Sequence, residues 1–361
     1  MNFKVLTSIL FISLVLIGCS DDTTQPEEEI DKQALLINCA DDLIIPALSN
    51  LKIEAKDLSE EITSFSANYS ESNLAYLRTK YLDIIYIWQY CSMYGFGPAD
   101  DVQLRQAINT FPTDTNLIKE NIKSGNYSLA ISSNYKAKGL PALGYLLYPP
   151  EGTNLEVYFS DENLLKYMKD LAIDIYDNTS YVYDGWQEYR EKFITNLGND
   201  AGSSLSLMIN EFVFDYELAK RAKVGIPSGI FGSVLPFNFE APHSKISNAL
   251  LIKNLTSYKR FLEGFTNNNP EETDTIKEYL DAITANRNNS DLSNRIIEKL
   301  NKSIEIIEKF EAPMVEMIKS PSGKEKIDAL YKNMQEMVVL IKTDMTSAMG
   351  ILISYQDNDG D

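Results

Sequence analysis

The chain has 361 residues, 44% of them hydrophobic, and its 52 acidic residues outnumber 33 basic ones to give a net charge of -19. That is enough apolar material for about two domains of ordinary size, and the acidic excess argues against nucleic acid and anionic lipid headgroups as partners, since both would be repelled at long range. A single histidine, His243, excludes a zinc site of the H-E-x-x-H kind and a two-histidine di-iron site.

The N-terminus places Lys4 ahead of an apolar run from Val5 to Ile17 and then Leu16-Ile17-Gly18-Cys19. The run is too short for a membrane span, which needs about 20 apolar residues, and reads as a secretory signal over residues 1–18. Its end resembles a bacterial lipobox, which implies cleavage before Cys19 and lipidation of that thiol. Residues 19–31, with Ser20-Asp21-Asp22 and Glu27-Glu28-Glu29, are too polar to bury anything and read as a flexible tether. They also resemble the surface-export signal of Bacteroidetes lipoproteins, with a plain acidic spacer as the alternative. The expected location is the cell envelope, anchored to the outer membrane on its periplasmic face or at the cell surface.

Beyond the tether, apolar residues recur in steps of three and four. Leu36, Cys39, Leu43, Ala47, Leu51, Ala55 and Leu58 form one such stripe, Leu74, Leu77, Tyr81, Ile84, Trp88 and Cys91 a second, and Leu164, Met168, Leu171, Ile175, Val182, Trp186, Tyr189 and Phe193 a third. The later stripes run through Leu205 to Ala219, Ile296 to Met314 and Ile327 to Ile341. No comparable series alternates with a period of two, so the spacing predicts an all-α protein of long amphipathic helices in bundles. The turn formers of Asn196 to Ser203 divide residues 32–198 from 203–361, the two expected helical domains. Gly225 to Pro242, broken by Gly225, Pro227, Gly229 and Gly232, predicts a long loop of the kind that lines a cleft, with a packed surface loop as the alternative.

Five motifs fall in order along the chain: Trp88-Gln89-Tyr90 running into Gly95-Phe96-Gly97-Pro98, Phe111-Pro112-Thr113-Asp114, Gly139-Leu140-Pro141-Ala142-Leu143-Gly144, Tyr216-Glu217-Leu218-Ala219-Lys220-Arg221 running into Gly225-Ile226-Pro227-Ser228-Gly229, and the acidic terminus Asp357-Asn358-Asp359-Gly360-Asp361. Together they resemble the imelysin-like family of bacterial envelope proteins, which includes iron-regulated protein A relatives and was classified among metallopeptidases. The resemblance implies two helical bundles with a cleft between them and a setting in iron acquisition. It also exposes a departure. Gly139 matches the glycine of the family's G-x-H-x-x-E stretch, but Pro141 stands in the histidine position and Gly144 in the glutamate position, and neither binds a metal or moves a proton. The expected function is therefore non-catalytic binding of an unidentified small ligand or iron-uptake component, with no metal and no cofactor. The rivals are a metallopeptidase and a structural surface lipoprotein. The expected cleft residues are Trp88, Gly97, Pro98, Gly139, Pro141, Gly144, Tyr145, Gly225 and Pro227, with Gly139 to Leu147 beside Gly97-Pro98 and the loop from Gly225 to Pro236.

Other candidate chemistry is thin. Glu240 and His243 have the i, i+3 spacing of a carboxylate and histidine pair, but Pro242 between them predicts a helix start or surface turn rather than a ligand pair. The terminal Asp357, Asp359, Gly360 and Asp361 imitate the start of a calcium loop whose bidentate glutamate never arrives. No phosphate loop, nucleophile elbow or dinucleotide fingerprint occurs. Tyr86, Tyr90, Tyr94 and Tyr148 crowd the N-terminal half as core or pocket lining. Cys39 and Cys91 lie on the first two stripes. With the intervening loop read as Ser59 to Glu71, each is 26 residues from its centre at residue 65, so an antiparallel hairpin brings the thiols to one height. They are then either two buried thiols or a disulfide worth about 4 kcal/mol on the chain-entropy model.

Overall fold

The computed structural model describes residues 31–264, 274–285 and 290–355. The leader, Cys19, the tether up to residue 30 and the acidic run Asp357 to Asp361 lie outside the described residues. Among those described, every regular element is helical.

Helix α1 (Lys32–Asn38) is capped by Asp31, whose side chain accepts from the backbone of Gln33 (2.8 Å) and Ala34 (3.2 Å). It continues through a π turn, Cys39–Ile44, into α2 (Ile45–Ala67). This turn corrects the first predicted stripe. The fully buried positions are Leu36, Ala40, Ile44, Leu48 and Leu51 rather than Leu43 and Ala47. Three steps of four would carry a stripe about 120° round an α-helix, and the wider π turn absorbs the excess. The continuous helix Lys32–Ala67 is long and apolar enough to cross a membrane. Its apolar face, Leu48 to Phe65, is buried instead against α3 and α9.

Helix α3 (Glu71–Cys91) starts at Ser70, whose hydroxyl accepts from Asn73 N (3.1 Å). Short turns follow: α4 (Pro98–Asp101) after Gly97 at φ 59, and α5 (Leu104–Ile108) after Gln103 at φ 48. Helix α6 (Thr115–Ser124) is capped by Asp114, so the Phe111-Pro112-Thr113-Asp114 motif ends as a helix cap. Then come α7 (Gly139–Leu147), α8 (Leu155–Tyr158) and α9 (Glu162–Thr195), the last spanning about 51 Å at 1.5 Å per residue. The chain breaks at Asn196 to Ser203 as expected and resumes with α10 (Ser204–Leu218), which passes through a second π turn, Ala219–Gly225.

The loop that follows holds only a 3-10 turn, Pro236–Asn238, before α11 (Ser247–Glu263). Helices α12 (Ile276–Thr284), α13 (Leu292–Glu308), α14 (Met314–Met317), α15 (Pro321–Val339) and, after a third π turn at Leu340–Met345, α16 (Thr346–Met349) complete the chain. Helix α2 lies between α3 and α9, α13 lies between α11 and α15, and α3 packs on α11. The buried side chains of both halves consequently form one continuous core.

The hairpin turn of α2 and α3 sits at Asn68 to Ser70, not at residue 65. Cys91 is therefore level with Ala47, and its thiol reaches the Ala47 carbonyl at 3.3 Å. Cys39 lies eight residues further along, roughly 12 Å by helical rise. Both are buried thiols, not joined as a disulfide, and Tyr94 is close to each.

Candidate functional site

Polar side chains on helix faces that otherwise bury apolar residues converge where α3, α5 and α10 meet the loop before α11. Gln89, on the buried stripe of α3, donates from Nε2 to Glu240 Oε1 (3.1 Å), and Asn109, just after α5, donates from Nδ2 to the same oxygen (2.8 Å). Lys223, in the π turn after α10, donates to Gln89 Oε1 and pairs with Glu240 Oε2 at 2.9 Å. Glu240 is 1% exposed, so this pair is sealed from water and depends on its surrounding donors.

A second cluster adjoins it. Asp215, 4% exposed on α10 between Val213 and Tyr216, accepts from Ser92 Oγ (2.7 Å) and Tyr258 OH (2.8 Å) and pairs with Arg105 at 3.3 Å. Arg105 also donates from Nη2 to Ser92 O (2.7 Å) and Glu211 Oε2 (3.2 Å). Burial opposes the Arg105 charge, but Asp215 and Glu211 outweigh it and hold the guanidinium above its ordinary value. Burial, with help from Asp215 and Asp100, pushes the Glu211 carboxyl above the usual carboxylate range despite Arg105.

Between these clusters lies a cavity of about 250 Å³. Its apolar wall includes Trp88, Phe111, Phe214, Leu218, Ala219 and Ala222, and its polar wall includes Ser92, Arg105, Asn109, Asp215 and Lys223. The Arg105 guanidinium stacks over Phe214 at 5.0 Å. Ala219, Ala222 and Lys223, spaced i, i+3 and i+4 in the turn after α10, continue the face of Asp215 and Leu218 onto the cavity.

Of the nine residues expected in one cleft, Trp88 lines this cavity. Gly97 and Pro98 line a separate groove of about 700 Å³, with Asp100, Asp101, Glu188, Tyr189 and Glu211. Gly139, Pro141 and Gly144 are buried in helix packing. A Cβ at Gly144 would lie 2.3 Å from the Tyr81 hydroxyl, so this phenol fills the space into which a side chain at 144 would grow. Burial raises the Tyr81 pKa, which keeps the phenol protonated. Tyr145 stacks edge-on against His243 at 5.1 Å, with Phe237 on the imidazole at 5.8 Å. His243 is a half-buried turn residue before α11, and burial lowers its pKa. Gly225 packs against Phe231 and Tyr331, and Pro227 is buried in the same turn. The nine residues thus divide among several neighbourhoods. No group of three or more His, Cys, Asp or Glu among the described residues is arranged to hold a metal ion.

Asn109, Asp215, Lys223, Arg105 and Ser92 were not expected from sequence. The one signal in sequence is a charged residue on an otherwise apolar helix face, as Asp215 is beside Phe212, Val213 and Tyr216.

The fold has known relatives. An imelysin-like protein from Psychrobacter arcticum 273-4 superposes with a TM-score of 0.69 at 19% identity, covering 90% of this chain and 97% of that one. A protein assigned as an iron-regulated protein A precursor from Parabacteroides distasonis ATCC 8503 superposes with a TM-score of 0.71 at 17% identity, covering 87% and 95%. No curated protein matches the chain. The imelysin (peptidase M75) family model matches residues 44–341, most of the chain, and the protein belongs to the imelysin family.

Proposed function

We propose that this protein is a lipid-anchored envelope member of the imelysin family that binds a small ligand between its two helical halves and does not hydrolyse peptides. The observation that carries the reading is the cavity between Trp88, Phe214, Arg105 and Lys223, an apolar pocket with a few convergent polar groups. A setting in iron acquisition is supported by the family resemblance and by the iron-regulated assignment of one structural neighbour. Anchoring is supported by Leu16-Ile17-Gly18-Cys19 and the acidic tether after it.

A peptidase of this family would need a bound metal and a base. The residues at the motif do not fit one: Pro141 and Gly144 offer no donor atom, and the space beyond Gly144 holds the protonated phenol of Tyr81. A structural role is favoured by a different observation, the exposed Phe231, Val234, Leu235 and Phe237 of the loop before α11.

The test is metal analysis of the purified protein together with a thermal-shift screen of iron chelates, haem and short peptides. A ligand at 100 times its Kd stabilises by about 2.7 kcal/mol and is readily seen. A shift with at least one probe and no stoichiometric transition metal is the expected result. No shift with any probe favours the structural role, and one tightly held metal with chelator-sensitive peptidase activity overturns the reading.

A further inference from the structure

The loop before α11 carries an apolar tip on a fixed foot. Gly225, Pro227 and Ser228 are buried, and Leu235 N donates to Pro227 O at 2.9 Å, which closes the excursion at its base. Above that foot residues 230–235 are all exposed, and Ile230, Phe231, Val234 and Leu235 among them are large and apolar. Phe237 follows at 63% exposure, so most of its ring is bare.

Charge decides what can cover this tip. From Val224 to Phe239 no side chain is charged, in a chain where 24% of residues are. A protein partner is ordinarily held through a polar rim around an apolar centre, and the only polar side chain this run exposes is that of Ser233. A second copy of the chain would bring a net charge of -19 toward another of the same sign, which repels. A bilayer of zwitterionic lipid requires only apolar area.

The anchor puts a bilayer within reach. Lys32, next to the tether, donates from Nζ to Asn199 Oδ1 at 2.7 Å, just ahead of the start of α10. From there α10 and its π turn run over Ser204–Gly225 to the loop, roughly 30 Å by helical rise. Residues 19–31 reach up to about 40 Å when extended. A lipid on Cys19 therefore leaves the loop able to touch the same membrane.

We propose that the loop from Ile230 to Phe237 inserts its apolar tip into the bilayer that holds the anchor and so fixes how the protein sits on the membrane. This rests on the lipid-anchored reading and adds a second contact to it. The test places the lipidated protein, purified from membranes, on vesicles of phosphatidylethanolamine and phosphatidylcholine. A fluorophore is attached at Ser233→Cys or, as control, at Ser72→Cys, exposed on the end of α3 away from Gln89 and the loop. Cys39 and Cys91 are buried and stay unlabelled. Spin-labelled lipid should quench the Ser233→Cys label and leave the Ser72→Cys label bright. Phe231→Ser combined with Phe237→Ser should remove the quenching. Val234→Asp, which keeps both rings, carries the same expectation should the double variant fail to fold.

Cys19 found without lipid by mass spectrometry overturns the anchoring and this proposal with it. Lipid on Cys19 together with a Ser233→Cys label open to aqueous iodide overturns insertion alone. So does equal quenching at Ser72→Cys, or quenching seen only with anionic lipid. A label shielded in a detergent-solubilised dimer rather than by lipid assigns the tip to a second copy and overturns insertion as well.

Discussion

Gly144→Ala puts the packing of the altered motif to a direct test. The new Cβ would sit 2.3 Å from the Tyr81 hydroxyl and 3.0 Å from the ring carbon that bears it, against an ordinary contact of 3.4 Å or more, so something must move by about 1 Å. Tyr81 is 0% exposed and cannot swing into solvent. Overpacking of this kind costs about 1–3 kcal/mol, and exchanging glycine for alanine inside α7 returns roughly 1 kcal/mol, which leaves a net loss of about 0–2 kcal/mol. The partner change is Tyr81→Phe. The buried hydroxyl has no hydrogen-bond partner by distance and angle, so deleting it forfeits little. The double variant should therefore be more stable than the two single effects predict, with a coupling of at least about 1 kcal/mol. Urea unfolding of the four proteins supplies the cycle. Additivity within about 0.5 kcal/mol would refute the claim that this phenol blocks a side chain at position 144.

Three further outcomes follow from buried groups. Lys223→Met strands Glu240 in the core and should destabilise by about 3–5 kcal/mol in urea unfolding, while adding Glu240→Gln should recover part of that loss. The imidazole of His243, the only one in the chain, should titrate below 6.5 by NMR and return toward 6.5 in Phe237→Ala. Because its folded pKa is depressed, its contribution to stability is present above pH 6.5 and is lost as pH falls through the folded value. In a Cys19→Ser chain, denatured without reductant, Ellman titration should find two thiols. In the native protein Cys91 should be inert, since burial pushes its pKa up.

The helical class was legible because the stripes that bury Trp88, Trp186 and Ile327 repeat at the helical period, and that period survives any detail of packing. Register was less legible. The π turn at Cys39–Ile44 shifts the stripe by an amount that no periodicity in the sequence announces. The hairpin turn was misplaced because Ser59 to Ser66 is polar enough to resemble a loop, although Ile62 and Phe65 continue the buried face of α2 through it. The site was the least legible part. Glu240 finds Gln89 across 151 residues and Asn109 across 131, so its partners are a product of the tertiary fold and leave no local spacing to read. The motifs did mark four apolar wall residues, Trp88, Phe111, Leu218 and Ala219, without marking the charged wall residues Arg105, Asp215 and Lys223.

The glycine that the motif retains has a physical role that needs no metal. Gly139 begins α7 at φ 73, in the left-handed region where a side chain is strained, and a Cβ there would meet the Ile108 carbonyl oxygen at 2.4 Å. The start of α7 therefore rests backbone to backbone on the last turn of α5. The next residue after that turn is Asn109, whose amide holds Glu240 and through it Lys223. A residue larger than glycine at 139 would press on the backbone of Ile108, the residue next to Asn109. The histidine and glutamate positions can be proline and glycine without disturbing this contact, because Pro141 and Gly144 lie further along α7 and the nearest neighbour of Gly144 is Tyr81 of α3. The motif helix thus meets the cavity's polar wall through the turn that carries Asn109, and Gly139→Ala is expected to destabilise the protein in urea unfolding, a result that an unchanged midpoint would refute.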